Sequence, residues 1–271
     1  MLAEPSAAPA VEFVNATCSF PARSFGEREY TAVKDVSLSL ADGEFIAVVG
    51  PTGCGKSTLL NAVAGIRPPT SGEVRVMGER VTDIQRSCGY LFQTDTLLPW
   101  LTARKNVQLG LTYRGVSAEE ARPIVDDWLK KVGLASAGER FPHQLSGGMK
   151  KRVALAQTLL LDPKIILMDE PFSALDVQTR HMMENQLLDI WAANRKTVLF
   201  VTHDLEEAIA LADRVVVLSA GPASTPVRTF DIGIPRPRDV TEIVHTHEYI
   251  ELHAEIWGTL KQQVLRNFAA N

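Results

Sequence analysis

Apolar positions along this chain fall into two kinds of run. In "FIAVV" (45–49), "KIILMD" (164–169) and "TVLFVTH" (197–203) they are short, contiguous and followed by glycine or polar residues. Runs of that kind suit strands buried on both faces of a parallel sheet. "VEFVNATCSF" and "VSLSL" are rich in strand formers, and the second alternates cleanly, as expected where only one face is buried. "EVRVMGERV" (73–81) reads as a further strand and turn.

The second kind of run has helical spacing. "KSTLLNAVAG" follows Gly55 and places Gly65 as a C-cap. From about Asn106 to Leu161 the pattern turns helical throughout. "SAEEARPIVDDWLKKVGL" opens with Ser117 and Glu120, a capping box, and closes on Gly133. In "KKRVALAQTLLL" the apolar residues Val153, Ala156 and Leu160 share a face. Alternating strands and helices predict a parallel sheet layered with helices, with functional residues at the carboxyl ends of the strands. Beyond Gly221, "GPASTP" and "IPRPR" predict a turn-rich surface path, and "VTEIVHTHEYIELHAEIWGTLKQQV" a terminal helix or helix pair.

Composition narrows this picture only at its edges. The chain has 271 residues, 45% hydrophobic, with a net charge of -4. That length suits one large domain with a subdomain, and the acidic balance argues against general nucleic-acid binding. The cysteines Cys18, Cys54 and Cys88 have no metal-ligand spacing and suit a reducing compartment. The start "MLAEPSAAPA" lacks the basic and apolar blocks of a signal peptide and reads as a disordered tail over residues 1–10. No apolar run approaches the roughly 18 residues of a membrane helix, so work at a membrane would need a partner. His245, His247 and His253 read as exposed helix positions.

Chemistry concentrates in a few segments. "GPTGCGKST" joins a predicted strand to a predicted helix and carries Gly50-x-x-x-x-Gly55-Lys56-Ser57, the phosphate-binding pattern in its required context. Its glycines let backbone N–H groups converge on phosphate, Lys56 meets the β and γ oxygens, and Ser57 meets Mg²⁺. Cys54, inside this loop beside Lys56, is expected to favour the thiolate. "ILMDEP" sets Asp169 at a strand end to hold Mg²⁺, directly or through water, and Glu170 to act as general base. By itself Gln93 reads as a surface residue, and His203 equally as a satisfied core histidine. "LSGGMKKR" (145–152) has the grammar of a second helix N-terminus built for an anion. A single chain with two such starts raises the question of what the second receives.

In order, "GPTGCGKST", Gln93, "LSGG", "LMDEP", "SALD" and "VTHD" resemble the ATP-binding subunit of an ABC transporter across nearly the whole chain. "LLPWLT", "LSGGM", "MDEPFSALD", "VTHDLEEAIALADRVVVLS" and "IPRPR" resemble the nitrate/sulfonate/taurine branch of bacterial importers. The resemblance implies an α/β fold: a P-loop nucleotide-binding core with an N-terminal antiparallel β subdomain and an inserted α-helical subdomain. It implies an ATP-binding domain over 11–225, its helical part about 94–160, and a C-terminal segment and helix over 226–271.

The implied cofactors are ATP and Mg²⁺. The implied nucleotide contacts are Gly50, Pro51, Thr52, Gly53, Cys54, Gly55, Lys56, Ser57 and Thr58, with Phe20 stacking on adenine and Phe25 or Tyr30 as alternatives. Ser57, Gln93 and Asp169 would serve the metal; Glu170, His203, Gln93 and Lys56 would serve catalysis. Leu145, Ser146, Gly147, Gly148 and Met149 would form the signature contributed to a second copy, with the Ser146–Gly147–Gly148 end binding the γ-phosphate that copy holds and Asp176 touching that copy. Met149 stands where the wider superfamily has Gln, "KKR" replaces the usual "RQR", and Pro51-Thr52 replaces Pro-Ser. Further implied partners are two transmembrane permease subunits, met by Thr94–Asn106, and a periplasmic or lipid-anchored solute-binding protein. Nucleic acid is not implied. The implied place is the cytoplasmic face of the bacterial inner membrane, held peripherally.

Overall fold

The computed structural model describes residues 8–21, 29–94 and 96–270, without the side chains of 269 and 270. The chain opens with β1 (Val11–Phe20), β2 (Tyr30–Leu40), β3 (Phe45–Val49), α1 (Lys56–Val63), β4 (Ser71–Val76), β5 (Glu79–Arg80) and β6 (Cys88–Leu91). Three helices follow, α2 (Ala103–Tyr113), α3 (Ala118–Lys131) and α4 (Gly147–Leu159). The rest is β7 (Ile165–Asp169), α5 (Val177–Asn194), β8 (Thr197–Val201), α6 (Leu205–Leu211), β9 (Arg214–Leu218), β10 (Pro226–Asp231), α7 (Val240–Ile243) and α8 (His247–Ala270).

Two sheets result. One is antiparallel in the order β2-β1-β4-β5. The other runs β10-β9-β3-β8-β7-β6, parallel except for the antiparallel edge β10. The contiguous apolar runs have their explanation here. Phe45, Ala47 and Val49 face one core with Met168, Phe200 and the helices α4, α5 and α6. Ile46 and Val48 face the other, with Leu167, Leu199, α1 and the antiparallel sheet. Both faces of β3 are covered, so alternation has no solvent side to report. Each fully buried Val, Leu or Ile contributes about 1.5–3 kcal/mol.

This layering positions the site. β3 is central, with β8 and β9 on its flanks. The register sets Val48 opposite Val201 and Val201 opposite Asp169. The carboxyl ends of β3, β7 and β8 therefore finish side by side, at the crevice where open α/β sheets place their ligands. The capping box of α3 forms as its sequence predicts: Ser117 accepts from Glu120 N at 3.3 Å, and Glu120 accepts from Ser117 N at 3.1 Å.

The ends of the chain depart from expectation. Residues 1–7 of the expected tail lie outside the described residues. Ala10 is already buried, donating to Leu40 O at 2.8 Å and accepting from Met77 N at 2.8 Å. The segment 226–231 is a strand rather than a surface turn, because its backbone completes the free edge of β9. In "IPRPR" the prolines Pro235 and Pro237 are exposed, as a surface path predicts, but Ile234 and Arg238 are buried. Arg238 is 7% exposed and donates to the carbonyls of Ile209, Ala210, Ala212, Ile232 and Ile234. Its guanidinium closes the C-terminal end of α6, where helix carbonyls lack partners. Burial lowers its pKa to about 10, with Arg236 adding and Asp213 opposing.

Candidate functional site

At the end of β3 the chain turns through Gly50–Gly55 into α1. Gly55 caps that helix at φ 92°, and a Cβ there would lie 2.6 Å from Val33 Cγ1. Both facts demand glycine. No side chain caps α1, so its start is left open to a phosphate, with Thr58 N already donating to Gly55 O at 3.0 Å. Lys56 is buried and donates to Gly50 O at 3.0 Å and Pro51 O at 3.2 Å. Two carbonyls hold its charge at the loop.

A cavity of about 730 Å³ opens above this loop, lined on one side by Thr52, Gly53, Gly55, Lys56, Ser57 and Thr58. Phe20, Pro21 and Tyr30 line it as well, and so do Gln93, Glu170 and His203. Gly50, Pro51 and Cys54 sit behind the lining. The expectation of a thiolate at Cys54 is overturned. Its side chain is fully buried in the core under α1, and desolvation raises the thiol pKa more than the Lys56 charge lowers it.

Polar groups converge at the strand ends. Ser57 Oγ donates to Asp169 Oδ1 at 2.9 Å. Burial raises the Asp169 pKa, Ser57 and Lys56 oppose this, and Glu170 reinforces it. Ser57 and Asp169 present hard oxygen groups, the chemistry that suits Mg²⁺. Glu170 Oε2 accepts from Gln93 Nε2 at 3.0 Å and lies 3.0 Å from His203 Nδ1. Gln93, Glu170 and His203, far apart in sequence, thus meet at one carboxylate oxygen. Glu170 has φ 43°, a left-handed conformation for a non-glycine residue, which costs about 1–3 kcal/mol. Its N–H donates to Val201 O at 2.8 Å, and its carbonyl accepts from Ser173 Oγ at 3.0 Å. β8 and the loop after β7 therefore hold that backbone, and the side chain lines the cavity.

Phe20 and Tyr30 stand at the same end, ring centroids 6.4 Å apart. The Arg67 guanidinium lies 3.8 Å from the Phe20 ring centroid, and Tyr30 OH donates to Gly53 O at 3.2 Å. Phe25 lies outside the described residues.

The second anion-type helix start behaves differently. Ser146 caps α4, accepting from Met149 N at 3.3 Å. A hydroxyl that accepts one N–H keeps its own proton to donate. Ser146 and Gly147 are exposed, Leu145 is buried, and Met149 packs on the core. None of Leu145–Met149 lines the cavity above Lys56. At Gly148 a Cβ would meet Thr179 Cγ2 at 2.6 Å, so only glycine permits this approach of α4 to α5. Asp176 caps α5, accepting from Thr179 N at 3.0 Å, and that hydrogen bond lowers its pKa.

Sequence reasoning missed two members of this constellation. Lys151 is buried and donates to the carbonyls of Phe92 and Gln93, joining α4 to the glutamine loop. Its signal was present, as the second lysine of "LSGGMKKR". Arg180 joins α5 to the loop of His203 through Asp204 at 2.6 Å, and no local pattern marks it.

Residues 33–173 match the family model for the ABC transporter. The nitrate import ATP-binding protein NrtD of Synechococcus elongatus is 45% identical over 228 residues, covering 83% of this chain and 83% of NrtD. The bicarbonate transport ATP-binding protein CmpC of the same organism is 43% identical over 247 residues, which is 90% of this chain but 37% of CmpC. The chain likewise spans 38% of the nitrate import protein NrtC. Among solved structures, the dimeric post-hydrolysis state of the ATP-binding cassette MJ0796 bound to ADP and Pi is similar at TM-score 0.73 and 34% identity, covering 83% of this chain and 100% of that one.

Proposed function

Since the chain belongs to the ABC transporter family, whose ATP-binding domains are ATPases coupled to transport, we propose that it powers import of a small oxyanion as one of two identical copies in a closed dimer. The carrying observation is the separation of its two helix starts. Lys56 and α1 face a cavity, whereas the Ser146–Gly148 end of α4 faces solvent outside it. Head-to-tail pairing with C₂ symmetry brings each exposed start to the γ-phosphate held by the other copy. Asp176 meets the partner in the same closure.

Within each site Glu170 takes a proton from the attacking water. Gln93 and His203, both 3.0 Å from its Oε2, orient that carboxylate. Ser57 and Asp169, with Gln93 across the cavity, would hold Mg²⁺, which supplies neutralising charge on the β- and γ-phosphates. Phe20 carries adenine, with Tyr30 beside it. The helical subdomain spans about 94–160 inside an ATP-binding domain of 11–225, followed by the segment 226–271.

Among the described residues no helix is long and apolar enough to cross a membrane. Attachment to the cytoplasmic face of the bacterial inner membrane therefore falls to two permease subunits, served by a periplasmic or lipid-anchored binding protein. Thr94–Asn106 is their contact. Asn106 is fully buried and ties Leu98 N at 2.8 Å and Leu101 O at 3.0 Å, so the loop is braced while Trp100 stands 69% exposed. The relatives transport nitrate and bicarbonate by name; nitrate, a sulfonate or taurine fits the same class.

The test is dimerisation of Glu170→Gln, followed by mass, with and without Mg-ATP. The expected result is a dimer only with Mg-ATP; a monomer under saturating Mg-ATP would overturn the shared-site reading.

A further inference from the structure

We propose that Arg180 is a positioning residue for hydrolysis, a strut that ties the partner-contacting loop at Asp176 to His203 and sets the histidine against Glu170. This rests on the reading above that Asp176 meets a second copy. Arg180 lies one turn into α5, and its N–H donates to Asp176 O at 2.9 Å. Its guanidinium spans two loops. Nη1 donates to Asp204 Oδ2 at 2.6 Å, and Nη2 donates to Leu175 O at 3.4 Å.

Asp204 is the neighbour of His203 and caps α6, accepting from Glu206 N at 2.9 Å and Glu207 N at 3.4 Å. On the other side of His203, Thr202 Oγ1 accepts from Asp204 N at 3.0 Å and donates to Glu207 Oε2 at 2.6 Å. His203 thus rides on a backbone pinned before and after it, and Arg180 anchors that unit to the loop of Asp176. A displacement of Asp176 along α5 therefore moves Asp204, and with it the ring facing Glu170.

One feature of the fork favours a working joint over a static clasp. Arg180 Nε is buried without a hydrogen-bond partner, and Glu207 Oε1 is 3.9 Å away. An unmade buried bond is costly, and a shift of about an ångström completes it to normal N–H···O length. Closure of a dimer onto Asp176 supplies such a shift. Burial of Glu207 and Glu184 beside Arg180 makes the guanidinium hard to replace. A lysine cannot span the same acceptors, because its ammonium lacks the planar fork.

The test uses the full chain and ATP turnover. Arg180→Lys, Arg180→Gln and Asp204→Asn are compared for kcat, KM and melting temperature, with a double-mutant cycle between Arg180→Gln and Asp204→Asn. Asn keeps the helix cap, so Asp204→Asn isolates the ion pair. Misplacing an orienting group by about an ångström costs up to about 100-fold in rate. The expected result is a kcat fall of about 10-fold or more in Arg180→Gln and Asp204→Asn with KM within about twofold. The double variant should be no slower than the worse single one, and Arg180→Lys should restore part of the rate. Folded Arg180→Lys and Asp204→Asn proteins with wild-type kcat would overturn the proposal, as would losses that simply multiply. In the Glu170→Gln background Arg180→Lys should still dimerise with Mg-ATP. Failure of the parent Glu170→Gln to dimerise would instead remove the shared-site reading, and this inference with it.

Discussion

Two helices in this molecule have glycine-rich starts of the kind that suits an anion, and their surroundings differ sharply. α1 begins at Gly55 with no side-chain cap, beneath a cavity of about 730 Å³. α4 begins at Ser146 with its own hydroxyl capping Met149, open to solvent. The local physics is the same, free N–H groups and a positive dipole end. The difference lies in what stands opposite. α1 shares its cavity with Gln93, Glu170 and His203 of its own chain, whereas none of Leu145–Met149 lines that cavity. On the proposed function a second molecule would complete the site, and a half-site reads as a loop until that molecule is supplied.

The largest effects should separate the two starts. Lys56→Ala should abolish turnover in an ATPase assay, because it removes the charge that neutralises the transferred phosphate. Glu170→Gln should slow turnover by about 10²–10⁴-fold while leaving nucleotide binding intact by equilibrium dialysis; near-normal turnover would take Glu170 out of the general-base role.

Ser146→Arg sharpens the contrast. In the Glu170→Gln background it should eliminate the Mg-ATP dimer, while each monomer still binds nucleotide at Lys56. Mixing Ser146→Arg chains with Lys56→Ala chains should rebuild one intact site and recover part of the turnover. Dimerisation as tight as in Glu170→Gln alone would show that α4 does not serve a partner.

Trp100→Asp should reduce transport in the assembled importer while basal ATPase stays within about twofold and the melting temperature holds, since an exposed side chain away from special features moves stability little. A collapse in melting temperature would make Trp100 a core residue after all.

A smaller effect tests the ground between the sites. Burial raises the pKa of Glu184 to about 8 and that of Glu207 to about 7, with neighbouring carboxylates adding to both. A group raised in the fold stabilises it fully below the unfolded value near 4.5 and loses that contribution as pH climbs through 7 and 8. Glu184→Gln should therefore flatten the fall in stability between about pH 5 and 8, by up to about 1.4 kcal/mol per pH unit. Urea unfolding of both proteins across that range checks this, and identical slopes would refute it. Smallest of all, Cys54 should resist thiol reagents in the native protein with or without Mg-ATP, as mass labelling would report.

Much of the fold was legible because its signals are local. "FIAVV" reads as a strand covered on both sides, and β3 is one. Ser117 and Glu120 announce a capping box, and α3 has it. Gly55 is demanded by its own φ. The strand at 226–231 and the burial of Arg238 went unread for a matching reason. In β10 only Phe230 is buried, so its pattern is nearly silent, and the strand exists because β9 offers an open edge. Arg238 looks like a surface charge until the carbonyls of Ile209, Ala210 and Ala212 surround it. Cys54 misled in the opposite sense: the helix start and Lys56 argued for a thiolate, and burial outweighed both.

The sequence by itself determined the phosphate loop, the order of strands and helices, and the residue types able to carry the chemistry, because these depend on backbone conformation and side-chain class within a few neighbouring positions. Only the tertiary structure decided that Gln93, Glu170 and His203 meet at one oxygen, that Arg180 reaches Asp204, and that Ser146 lies outside its own chain's cavity. Those facts depend on sheet register and on helix packing across tens of residues, where a few ångströms separate a hydrogen bond from no contact at all.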